Sequence, residues 1–204
     1  MGLFGDNRFV DLGLSVKWAK CNIGATAPYE LGGLYSWGET QTKSAYREDT
    51  YKFYQRINWE KGNYLKYRIF DSLELEDDVA YQQMGRKVRI PTANEWMELF
   101  DWNRISSKKT CIKGRWGLLF TSQVKGYKDN SLFIPFAGCV GGIIHTNCSI
   151  ERQGQDNYGY YWTRNPGDDY ICDAKYAYLP GSHSGWVASN SRWRGYSVRA
   201  IKEK

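Results

Sequence analysis

The sequence predicts an α+β domain built from short strands, many turns and two short helices. Glycine is abundant and proline scarce, 21 against 5 in 204 residues, which favours turns between short elements. Apolar residues fall at helical spacing in only two stretches. Elsewhere short runs alternate apolar and polar positions and are broken by glycine.

Taken in order, residues 8–24 alternate through Phe9, Val10, Leu12, Leu14, Val16 and Trp18. They suit one or two short strands joined by a tight turn at Gly13. A loop containing Pro28 and Gly32-Gly33 leads into residues 34–37. Residues 40–70 are polar and aromatic without clean periodicity and read as a long excursion with one strand. Residues 73–85 form a short helix, with Val79, Ala80 and Met84 at helical spacing, acids in the first turn and Gly85 as its stop. Residues 86–92 are a strand entering a turn.

The clearest local signal follows. Thr92-Ala93-Asn94-Glu95 matches a capping box, in which the Thr92 hydroxyl takes the Glu95 amide and the Glu95 side chain returns to the Thr92 amide. Trp96, Leu99 and Phe100 then make the core-facing stripe of a helix ending near Asn103. Strands are expected at 115–122, at 128–138 after an Asp129-Asn130 turn, and at 141–146. After a loop at 147–157, further strands fall at 158–165, 170–179, 184–189 and 196–201. No repeat, low-complexity tract or linker divides the chain, so residues 1–204 are read as a single domain.

The net charge of +6 is spread among interleaved acids rather than gathered on one element, so no nucleic-acid partner is expected. The five cysteines, Cys21, Cys111, Cys139, Cys148 and Cys172, show no zinc spacing, and their odd number suits free thiols. No export signal is visible at the start, and no apolar run approaches the ~20 residues of a membrane span. Only two histidines are present, His145 and His183. A Cys139 or Cys148 pairing with His145 stays open, but no nucleophile motif surrounds it. The carboxylate pairs Asp77-Asp78 and Asp168-Asp169 read as helix-start and turn residues rather than acid–base partners. The expectation is a non-enzyme with no cofactor.

The tail from 157 to 199 is different in kind. Ten Tyr or Trp lie between Tyr158 and Tyr196, well above the 16% aromatic background, interleaved with Gly, Ser, Asn, Asp and Arg. Rigid aromatics give contact area at low entropic cost, and small polar residues give adaptable hydrogen bonds, which is the composition of binding surfaces. Period-2 alternation sets Ala177 and Leu179 on one face of a strand and Tyr176 and Tyr178 on the other.

Several phrases together resemble one family: VDLGLSVKWAKCNIGAT, YSWGET, RIPTANEWMEL, LFIPFAG, GYYWT and GYSVRA. They are similar to a domain of Bacteroidetes and their phages with the C-type-lectin-like fold, related to formylglycine-generating enzymes. In some members the C-terminal segment is the variable region of a diversity-generating retroelement. The resemblance spans nearly the whole chain. It implies two helices flanking small antiparallel sheets, with a long loop-rich binding face. It further implies a framework of Ala177, Leu179, Val187, Gly195, Tyr196, Val198 and Arg199. The ligand-binding positions it implies are Arg164, Asn165, Asp168, Asp169, Tyr170, Asp173, Tyr176, Tyr178, His183, Trp186, Asn190, Trp193 and Arg194.

Among these, Trp186, Trp193, Tyr176 and Tyr178 would be anchors, and Arg194, Asp168, Asp169 and Asn190 polar contacts. The implied partner is a protein or glycan receptor met by a phage tail or cell-surface adhesin, with no membrane insertion. Oligomerisation for avidity is expected. The chain departs from sugar-binding lectins in lacking their calcium-ligand motifs, and from the oxidases in having Cys172 alone near the C-terminal end, so neither a metal nor that activity is carried over. The alternatives are a structural or surface-assembly domain of the same fold with an undiversified tail, and a degenerate oxidase-like relative.

Overall fold

A computed structural model describes residues 6–56, 62–68, 71–141, 152–182 and 184–204. The described residues are α+β, made of small antiparallel sheets and two short α-helices. No helix among the described residues is long and apolar enough to cross a membrane.

Strands β1 (Phe9–Asp11) and β2 (Lys17–Ala19) pair antiparallel, with Phe9 opposite Ala19, and Gly13 lies in the connection at φ 76°. Ile201 and Lys202, far along the chain, pair with β2. The 40–70 excursion carries two strands rather than one, β3 (Tyr54–Arg56) and β4 (Gly62–Tyr64).

The first predicted helix is shorter than its apolar spacing suggested. A 3-10 turn at Leu75–Asp77 precedes helix α1 (Val79–Met84). Fully buried Asp78 stops the earlier turn from continuing, because its carboxylate accepts the Ala80, Tyr81 and Ile90 amides. A cap outranks a run of helix formers. Ile90 follows β5 (Val88–Arg89), so the same carboxylate ties α1 to that strand.

Helix α2 (Ala93–Leu99) starts with the expected capping box: Thr92 Oγ1 accepts the Glu95 amide at 3.2 Å, and Glu95 Oε2 accepts the Thr92 amide at 2.6 Å. It ends at Leu99, with Phe100 as its C-cap, rather than near Asn103.

Strands β6 (Ile105–Ile112), β7 (Arg115–Ser122) and β8 (Ser131–Pro135) form a three-stranded sheet. Strand β6 was not expected. Its middle is Ser, Lys and Thr, so no apolar alternation marks it, but Lys113 and Gly114 both have positive φ (51° and 80°) and turn the chain as a two-residue hairpin. The expected strand at 141–146 lies largely outside the described residues.

Strands β9 (Gly159–Pro166), β10 (Asp173–Leu179) and β11 (Trp186–Ser191) form the sheet that organises the tail, in the order β11-β10-β9. Strand β12 (Ile201–Lys202) joins β1, β2 and β5 in the order β1-β2-β12-β5. The expected strand at 196–201 shrinks to these two residues, preceded by isolated bridges at Gly195, Tyr196 and Ser197.

The sheet β9–β10–β11 stands between two cores. Tyr161, Ala177 and Leu179 point into one, with Trp18, Trp96, Phe120 and Ile134. Trp162, Ala174, Trp193, Tyr196 and Val198 belong to the other, with Trp37, Val79 and Ile90. Alternation along one strand therefore feeds two cores. Three buried rings pair their polar tips: Trp162 Nε1 donates to Tyr35 O at 2.7 Å, Trp37 Nε1 to Thr163 O at 2.8 Å, and Tyr161 Oη to Pro135 O at 2.6 Å. Arg199, fully buried, donates to Ala19 O and Phe133 O and so links two sheets through its guanidinium.

Candidate ligand-binding face

The β9–β10–β11 sheet carries a continuous aromatic row on the face away from Ala177 and Leu179. Register explains it: Tyr178 sits opposite both Tyr160 and Trp186, and Tyr176 opposite both Trp162 and Ala188. Cross-strand partners on one face lie within reach of aromatic rings. Tyr160 and Tyr176 stack at 5.9 Å, Tyr158 and Tyr178 at 5.9 Å, and Tyr178 meets Trp186 at 4.7 Å.

Burial grades along this row. Trp162 and Tyr196 are in the core, with centroids 4.3 Å apart. Tyr160 and Tyr176 are half-buried against them, and burial pushes both phenols above their ordinary range. Tyr158 and Trp186 emerge, 43% and 47% exposed. The row thus runs from core to solvent, fixed at one end and open at the other.

A second exposed group lies at the opposite end of β10, on the hairpin tip between β9 and β10. Here Asp168, Asp169 and Tyr170 are exposed, and Tyr170 is joined by Ile171. The hairpin closes through Gly167 N–H to Asp173 O at 2.8 Å, and a Cβ at Gly167 would stand 2.8 Å from that of Asp173, so only glycine fits. Asp168 pairs with Lys175 at 2.8 Å. The Cys172 thiol is half-buried at the tip's base, and burial together with neighbouring Asp173 pushes it up to about 11, so it is no activated nucleophile. The two exposed groups are about 20 Å apart along the strand, at ~3.3 Å per residue.

Comparison with family models, curated proteins and solved structures returned no match.

The residues expected at the site therefore divide. Asp168, Asp169, Tyr170, Tyr178 and Trp186 are presented, wholly or in part. Tyr176 is on the expected face but packs partly against the core and Tyr196. His183 lies outside the described residues.

One expectation is corrected, and five more of the expected residues are tied into the fold. Trp193 is not a presented anchor: it is 8% exposed, packed in the core with Arg194 over its ring at 5.3 Å. Arg194 is itself held, donating to Gly141 O at 2.9 Å. Arg164 donates to Leu73 O at 2.6 Å and secures the approach to α1. Asn165 Oδ1 accepts the Ala93 amide at 2.8 Å, adding a second cap to helix α2. Asn190 donates to the Tyr196 hydroxyl at 2.9 Å. Asp173 fixes the hairpin through its carbonyl, which takes both Gly167 N–H and Arg192 Nε. Each of these five polar residues thus makes at least one hydrogen bond within the fold.

Residues missing from the expected set also belong to the face. Tyr160 on β9 and Tyr158 just before it continue the row. The period-2 spacing of Tyr158, Tyr160 and Trp162 is the signal that marks them.

Among the described residues, Glu74, Glu76 and Asp77 form a cluster close enough to hold a metal ion. The Lys66 ammonium already occupies it, 2.7, 2.6 and 2.8 Å from the three carboxylates. The cluster is complete as an ion-pair knot.

Proposed function

We propose that this chain is a binding module of the C-type-lectin-like type, whose C-terminal sheet recognises a protein or glycan receptor and is diversified by a retroelement. A phage tail or cell surface is the setting that fits such a module. The observation that carries the reading is the graded aromatic row. Trp162, Tyr196 and Val198 hold the sheet to the core, while Tyr178, Trp186 and the hairpin tip stand free of it. A surface of this kind can change its outward side chains without disturbing what holds it.

Arg164, Asn165, Trp193 and Arg194 favour a second reading in part, because they behave as fixed packing and fit an undiversified assembly domain of the same fold. A display library separates the two. With Asp168, Asp169, Tyr170, Tyr178 and Trp186 randomised together, most clones are expected to keep wild-type protease resistance. Loss of resistance in most clones would make these residues structural and end the binding-face reading.

A further inference from the structure

One more exposed aromatic lies outside the C-terminal segment, beside the turns that flank the row. Trp116, on the β6–β7 hairpin, is 42% exposed, and its amide is bolted to the turn before Tyr158 by Asp156 Oδ1 at 3.0 Å. Lys109, exposed on β6, holds its ammonium 5.1 Å from the centre of the Trp116 ring. A Cβ built at Gly181 would stand 3.9 Å from that ammonium and 2.9 Å from Asn157 O, so the 157 turn, the 181 turn and Lys109 meet. Tyr158, Tyr178 and Trp186 open directly from these two turns.

Charge is one-sided here. No ion pair among the described residues uses Lys109, and Lys108 and Lys113 are exposed on the same hairpin. The neighbouring acid, Asp156, is taken by Arg115 at 2.5 Å. The site therefore offers a part-exposed indole under an ammonium that, among the described residues, has no counter-ion. A pyranose ring presents a flat face of C–H groups that stacks on an aromatic ring, and a carboxylate on that sugar would meet the cation in a partly desolvated position.

We infer that the binding face extends onto Trp116 and Lys109, and that this end takes a carboxylated saccharide. The inference rests on the reading of the sheet as a binding face and names its ligand class. Trp116 supplies the stacking platform and Lys109 the charge.

The test uses the full chain and a panel of immobilised uronic- and sialic-acid oligosaccharides, each beside its neutral methyl ester, at low salt. At least one carboxylated member is expected to be retained, with its ester bound at least tenfold more weakly. Lys109→Gln, at an exposed position, should bring the acid down to the level of its ester. Trp116→Ala should abolish retention of both, with circular dichroism unchanged. The inference is overturned if no carboxylated saccharide is retained, as a protein receptor would dictate, or if retention survives both substitutions. That failure leaves the binding-face reading intact, since the latter falls on the folding of the sheet library.

Discussion

Val198→Asp is expected to abolish cooperative folding. Val198 is fully buried among Trp162, Tyr196 and Ala200, in the core that also holds Trp37. An unpaired carboxylate there costs about 4–5 kcal/mol or more. Domains of this size are held by roughly 5–15 kcal/mol in all. Burial would raise the new carboxyl above its unfolded value, so its penalty is smallest below that value and grows as pH rises through the folded pKa. The variant should therefore be less unstable near pH 4 than near pH 8. Val198→Ala, which removes volume without adding charge, should stay folded. Urea denaturation at the two pH values reads all three outcomes, and a fully cooperative Val198→Asp transition at pH 8 would place Val198 outside the core.

The second large effect separates two tryptophans that look alike in the sequence. Trp193→Ala should cost about 3–5 kcal/mol, the usual loss for a buried ring and the cavity it leaves. Its ring lies against Gly141, where a built Cβ would approach to 3.0 Å, and beneath the Arg194 guanidinium. Trp186→Ala should cost less than about 1 kcal/mol, since nearly half the residue is in solvent and its ring contact is Tyr178. Chemical denaturation of both variants measures the difference. Equal losses, or the reverse order, would contradict the assignment of Trp186 to the outward end of the row.

Much of this was legible from local chemistry. The Thr92–Glu95 capping box needs only residues three apart, and it is present. The alternation in β10 sends Ala177 and Leu179 inward and leaves Tyr176 and Tyr178 on the other face, because strand geometry has period two wherever the strand lies. What could not be read is who packs on whom. Asn165 looks like a free polar contact until its partner is known to be an amide 72 positions away, and the Arg164 partner is 91 positions away. Trp193 is buried by Gly141 and the core around Trp37, and nothing near it in sequence announces that. Strand β6 was missed because its residues are polar on both faces, leaving only the Lys113-Gly114 turn to reveal it.

The same limit shaped the site. Segment composition pointed to 157–199, yet the positions expected within it left out Tyr158 and Tyr160, while much of the polar complement proved to be internal wiring. A binding surface is defined by what remains after the fold has satisfied its own groups.

The most direct test of the central claim is the nucleotide sequence around the gene. The account predicts a near-copy of the codons for roughly residues 157–199, differing only at adenines of the copy, beside a reverse-transcriptase gene. The differences should fall on outward positions such as Asp168, Asp169, Tyr170, Tyr178 and Trp186, and spare Ala177, Leu179, Tyr196 and Val198. A locus with neither the copy nor the polymerase would contradict diversification and leave a fixed tail whose aromatics serve packing alone.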